Sequence, residues 1–247
     1  MASTSETGHA KNVANFEKLI INITALGTDY NPSKAGLTLD NLNAQLTAAK
    51  AVIATVNSAG ATYKNALSTR NAAFLPLSKL ITRINNALKA SDTTPQVKET
   101  VQSLVRKIQG RRATAKLTEE EKKAATESGK EIVEISSSQM SFDSRLDNFD
   151  KLIKLLATVP AYAPNEADLK TTSLITLYDE LKAKNTAVTT ADTSLSNARI
   201  SRSDLLYKPS TGMVDISVDV KTYIKSVYGS TSQQYKAISN LKFISYN

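Results

Sequence analysis

The chain has 247 residues, with 31 Lys and Arg against 23 Asp and Glu, a formal net charge of +8, no cysteine, no tryptophan and one histidine. Without cysteine there is no disulfide scaffold, thiolate zinc site, iron–sulfur cluster or thiol nucleophile, and a lone His9 excludes a histidine-cluster metal site and a conventional Ser-His-Asp triad. No uncharged apolar run approaches the ~18–20 residues that span a bilayer, and the N-terminus lacks a basic stretch followed by an apolar one. The sequence therefore reads as a soluble chain made in the cytoplasm, without an integral membrane segment, with export independent of a signal peptide left open.

Residues 1–10 read as a flexible polar tail in which His9 is solvated. Val13, Phe16, Ile20 and Ile23 predict a first helix. Its phrase Asn15-Phe-Glu-Lys-Leu-Ile20 returns as Asn148-Phe-Asp-Lys-Leu-Ile153, and after the loss of one residue Tyr30, Pro32, Leu37, Leu42, Lys50, Asn65 and Arg70 return as Tyr162, Pro164, Leu169, Leu174, Lys182, Asn197 and Arg202. This is the pattern of a tandem duplication. It divides the chain into a tail (1–10), a first helical repeat (11–112), a helical connector continuous with the next helix (113–144) and a second repeat (145–247).

After a turn at Tyr30-Asn-Pro-Ser33, apolar or small residues alternate three and four apart from Leu39 to Leu88, which predicts a rod near 38–90, kinked at Pro76. Its stretch 51–63 carries no charge, and the stretch 186–198 in the second copy carries only Asp192. Small residues there let backbones approach closely, which makes Ser58, Gly60, Thr190 and Ser194 candidate contacts between subunits; the other reading is a hydrated neutral face. Arg70 and Arg202 fall on the seam register of the two copies, either as buried guanidinium groups that fix register or hold an anion, or as side chains that reach solvent over their stems.

Thr94-Pro95 and Gly110 bound a helix built on Val97, Val101, Leu104, Val105 and Ile108. Lys98, Arg106, Lys107, Arg111 and Arg112 gather at its end. Guanidinium and ammonium groups in that density are candidate ligands for an anion or a nucleic-acid backbone, without aromatic residues for base stacking. The competing reading is that cations simply suit a helix C-terminus. Thr118 to Glu121 has the capping-box pattern, and a series from Ile132 to Leu156 predicts a long middle helix.

Tyr162-Ala-Pro-Asn-Glu166 predicts a turn, and Leu174 to Val227 a second rod near 168–228 interrupted at Pro209-Ser-Thr-Gly212. Tyr235, Ile238 and Leu241 predict a last short helix. The runs Val220 to Lys236 and Arg106-Lys-Ile-Gln-Gly-Arg-Arg112 resemble an uncharacterised bacterial all-helical family with an internal duplication, a resemblance that implies a helical fold and carries no activity, cofactor or site.

The fold expected is all-α: an elongated antiparallel helical bundle with long coiled-coil-like helices of ~50 residues and an internal tandem repeat. The function expected is that of a non-enzymatic structural or scaffold protein that assembles with itself as a homo-oligomer or filament, without cofactor, metal or catalytic residues. The alternatives are a helical membrane-active or pore-forming protein and a basic module for an anion or nucleic acid.

Overall fold

In a computed structural model, residues 8–111, 120 and 140–246 are described, and among them all regular secondary structure is helical. The helices are α1 (His9–Thr24), α2 (Leu39–Phe74), α3 (Leu77–Lys89), α4 (Pro95–Gln109), α5 (Phe142–Ala157), α6 (Thr171–Tyr207), α7 (Met213–Tyr228) and α8 (Gln233–Ser239). No helix among the described residues is long and apolar enough to cross a membrane.

The chain divides into two compact units. The first takes residues up to 64 together with those from 191 onward, and the second takes residues 65–190. Each unit thus joins the opening helix of one matched stretch to the closing helices of the other, and the boundaries fall inside α2 and α6.

In the first unit α1 packs on α7 and α8. Val13, Phe16, Leu19, Ile20 and Ile23 face Leu42, Leu46 and Ala49 of α2, Leu206 of α6, Met213, Ile216, Val220 and Ile224 of α7 and Ile238 of α8. In the second unit α4 packs on α3 and α5 around Phe74, Leu77, Ile81, Ile84, Leu88, Val101, Ile108, Phe149, Leu152 and Leu174. These are the positions that the three-four spacing places on one stripe of each helix.

Local chemistry sets several helix ends. Thr94 Oγ1 accepts from the Val97 N–H, with Pro95 in the first helical position, and Gly110 ends α4 at φ 67°. There the Gly110 N–H donates to the Lys107 carbonyl and the Arg111 N–H to the Arg106 carbonyl, so the last orphan acceptors are met. Ser232 caps α8 as Thr94 caps α4, accepting from the Tyr235 N–H.

Four expectations need correction. The rods of ~50 residues are helices of 36 and 37 residues. A turn at Leu75 and Pro76 separates α2 from α3, because Pro76 offers no N–H to continue the ladder, and a turn over 208–212 separates α6 from α7. The continuity expected between connector and middle helix stops at Ser141, whose backbone is extended (φ −60°, ψ 149°) and whose hydroxyl caps α5 by accepting from the Ser144 N–H. Apart from residues 120 and 140, the connector before Ser141 lies outside the described residues, Thr118, Glu119 and Glu121 included, and so does Arg112. Finally, His9 opens α1 and is half-buried rather than solvated, and the last helix closes at Ser239, before Leu241.

Candidate functional site

The basic residues near 98–111 all stand on or just after α4. The Lys98 ammonium donates to the Lys89 carbonyl at 3.1 Å, tying α4 to the open end of α3. Arg106 and Lys107 occupy the last turn of α4, and Arg111 follows the left-handed Gly110. Their positions match the favourable interaction of cations with a helix C-terminus.

The candidate assembly residues separate into two kinds. Ser58, Thr190 and Ser194 are exposed. Gly60 instead faces the Leu195 side chain within the first unit, where a Cβ would meet Leu195 Cδ1 at 4.0 Å. That is an ordinary van der Waals distance, so the contact is internal to the chain and does not itself require glycine. In that unit Gln45 Nε2 also reaches the Thr211 carbonyl at 3.0 Å, so α2 and α6 run antiparallel there. Along α2, Ala51, Ala54, Asn57, Ser58 and Ala61 remain exposed, and the hydroxyls of Thr55 and Thr62 donate back to the carbonyls of Ala51 and Ser58.

Arg70 and Arg202 are each half-buried. In the second unit the Arg70 guanidinium lies 3.8 Å from the Phe142 ring centroid and donates to Asn185 Oδ1 at 3.0 Å. Asn185 in turn donates to Asp143 Oδ1 at 2.7 Å. Phe142 meets Phe74 edge-on at 4.8 Å, and the Arg145 guanidinium lies over Phe74 at 5.2 Å. Burial pushes the Arg145 pKa down from its ordinary value. Cation–ring stacking and one amide relay hold this corner, while the Nε atoms of Arg70 and Arg145 are buried without a hydrogen-bond partner.

The corner around Arg202, in the first unit, has different chemistry. Where Phe142 opens α5, His9 opens α1. His9 Nδ1 is 2.6 Å from the Tyr207 hydroxyl, and the His9 ring packs against the rings of Tyr207 and Tyr246 at 5.6 and 5.1 Å. Burial and the Arg202 charge hold the His9 pKa below its ordinary value. Asn12, one turn on, donates to the Tyr207 hydroxyl at 3.3 Å and to the Ile244 carbonyl at 2.6 Å, and accepts from the Ile244 N–H at 3.1 Å.

The non-helical segment after α8 is therefore clasped from three sides. Asn15 donates to the Lys242 carbonyl at 2.8 Å. The Lys221 ammonium of α7 donates to the carbonyls of Ser239 and Leu241 and lies over the Phe243 ring at 5.3 Å; burial lowers its pKa. None of these roles was read from the sequence. The available signal was that Asn12 and Asn15 sit on the apolar stripe of α1, where an amide needs partners.

In the second unit a groove of about 570 Å³ is lined by Arg83, Asn86, Tyr162, Asn165 and Glu166 among others. Two of its polar groups are paired within the protein: Arg83 makes a two-pronged ion pair with Asp168, and the Tyr162 hydroxyl donates to the Leu169 carbonyl at 2.9 Å. Among the described residues no group of three or more His, Asp or Glu is placed to hold a metal ion. Comparison with protein-family models, with curated proteins and with solved structures finds no match.

Proposed function

We propose that the chain is a structural or scaffold protein that assembles with further copies of itself through the neutral outer faces of α2 and α6. The observation that carries this reading is the charge-free stretch 51–63, whose Ala51, Ala54, Asn57, Ser58 and Ala61 face outward in mid-helix. A solvated helix keeps Lys or Glu on that side. The Thr hydroxyls spent on their own backbone lower the cost of covering this face. The proposal assigns no catalytic chemistry and no cofactor. Binding of an anion at Arg106, Lys107 and Arg111 is the weaker reading, because their place at the end of α4 already has a structural reason.

The proposal includes an origin by duplication with coiled-coil-like packing of the long helices. Phe16 and Phe149 are both fully buried, as are Leu42 and Leu174, and Tyr30 and Tyr162 make corresponding hydrogen bonds. Along α6 the buried residues Leu181, Asn185, Val188, Ala191, Leu195 and Ala198 recur at three and four, the spacing of a coiled-coil seam. Sedimentation of the purified chain over a wide concentration range tests the assembly: the proposal expects discrete oligomers or polymers, and a monomer at every concentration refutes it.

A further inference from the structure

The one histidine of the chain stands where three separate segments meet. Among the described residues, the titratable and charged groups facing it are Tyr207 and Arg202 from α6 and Tyr246 from the segment after α8. From its own helix, Asn12 faces the same hydroxyl. At the corresponding place in the second unit the ring beneath the arginine is Phe142, which cannot titrate.

The His9–Tyr207 contact is satisfied by a neutral ring whose Nδ1 accepts. Asn12 Nδ2 donates to the Tyr207 oxygen, so the Tyr207 proton is free to be donated to His9 Nδ1, which accepts only in the neutral ring. A protonated ring turns that nitrogen into a donor, leaves the Tyr207 proton without its acceptor, and brings a second positive charge beside Arg202. Tyr246 leaves the ring when its segment departs, and water then reaches His9. Released and docked segments therefore bind a proton unequally, and the sign is definite. Because the docked state holds His9 neutral, docking is strongest above the ordinary histidine range and weakens as the pH falls through it.

We propose that His9 is a proton-operated latch on the segment Leu241–Tyr246: the neutral ring holds the segment through Tyr207 and Tyr246, and protonation releases it. Release uncovers the backbone-binding row formed by Asn12, Asn15 and Lys221 on α1 and α7. The latch is independent of the α2 and α6 faces, so it stands or falls separately from the assembly proposal.

The test uses the full chain. With a single histidine, the imidazole C2 proton gives one proton NMR signal that follows His9 alone. Its midpoint should lie below 6.5, the ordinary value, and should rise toward that value in Tyr246→Ala. In parallel, exchange of the Ile244 amide reports docking, because its N–H is held by Asn12. After correction for intrinsic exchange, its protection should fall between about pH 7.5 and about pH 5, by up to about tenfold for each pH unit separating the docked and released midpoints. His9→Phe should keep the Ile244 amide protected at the lower pH. A wild-type midpoint at or above 6.5, a midpoint unmoved by Tyr246→Ala, or equal protection at both pH values overturns the proposal.

Discussion

Tyr30 and Tyr162 make the same bond in the two units: each hydroxyl, buried among apolar side chains, donates to the carbonyl seven residues ahead, Leu37 at 2.6 Å and Leu169 at 2.9 Å. Each bond closes the loop that brings the chain from its opening helix into its long one. Replacing either tyrosine by phenylalanine leaves a buried carbonyl without its donor and should cost roughly 1–3 kcal/mol. Chemical denaturation of the two single variants checks this, and equal, negligible losses would remove the loop-closing role.

Burial also keeps these phenols protonated. The Tyr30 pKa is pushed upward, by burial first and then by Tyr223, and Tyr162 is pushed to about 12 by burial and the nearby Asp168 and Glu166 carboxylates. A phenol raised in the folded state stabilises the fold fully below its unfolded value of about 10, and that stability is lost as pH rises toward the folded value. In alkaline titration followed by ultraviolet absorbance, at least Tyr30 and Tyr162 among the nine tyrosines should therefore resist ionisation near pH 10 and titrate with unfolding. Nine phenols titrating together would contradict the burial.

Phe16 and Phe149 are both fully buried, each in the core of its own unit. Substitution of either by alanine should cost roughly 3–5 kcal/mol, the range for emptying a buried aromatic site. Because the residues belong to different units, each variant should first lose protection in its own unit by hydrogen exchange. Unchanged denaturation midpoints would exclude both from the core.

Gly110 closes α4 with a left-handed backbone, and a methyl group added there would run into the Met140 side chain. Gly110→Ala should destabilise the second unit by about 1 kcal/mol or more. The same change should leave hydrogen exchange in the first unit unaltered. A variant as stable as the parent would mean that the turn relaxes into another conformation.

What the sequence discloses follows from how local the cause is. The bounds of α4 are readable because Thr94, Pro95 and Gly110 act on their immediate neighbours, and the core stripe of α1 is readable because its spacing is its own. The break at Leu75 and Pro76 is ambiguous from spacing, since the apolar register is the same on both sides and only the backbone shows that the ladder stops. The role of His9 is invisible locally, because Tyr207 lies 198 positions away. Gly60 is ambiguous for a related reason: small residues allow close approach without saying of what, and its neighbour in the structure is Leu195 of the same chain. The pairing of opening and closing helices from different stretches is likewise set by where the long helices carry the chain, which periodicity within each stretch does not encode.

The proposed assembly surface is the neutral face of the long helices, and a pair of lysines tests it directly. Ser58 and Thr190 are exposed within the chain. Ser58→Lys with Thr190→Lys should therefore alter the stability of a single copy by about 0.5 kcal/mol or less. Between subunits the same lysines would be charges buried without partners. Sedimentation velocity of the double variant against the parent decides between the two situations. The account predicts an oligomeric parent and a helical, dissociated variant; an unchanged distribution of species, or a parent that is monomeric throughout, contradicts it.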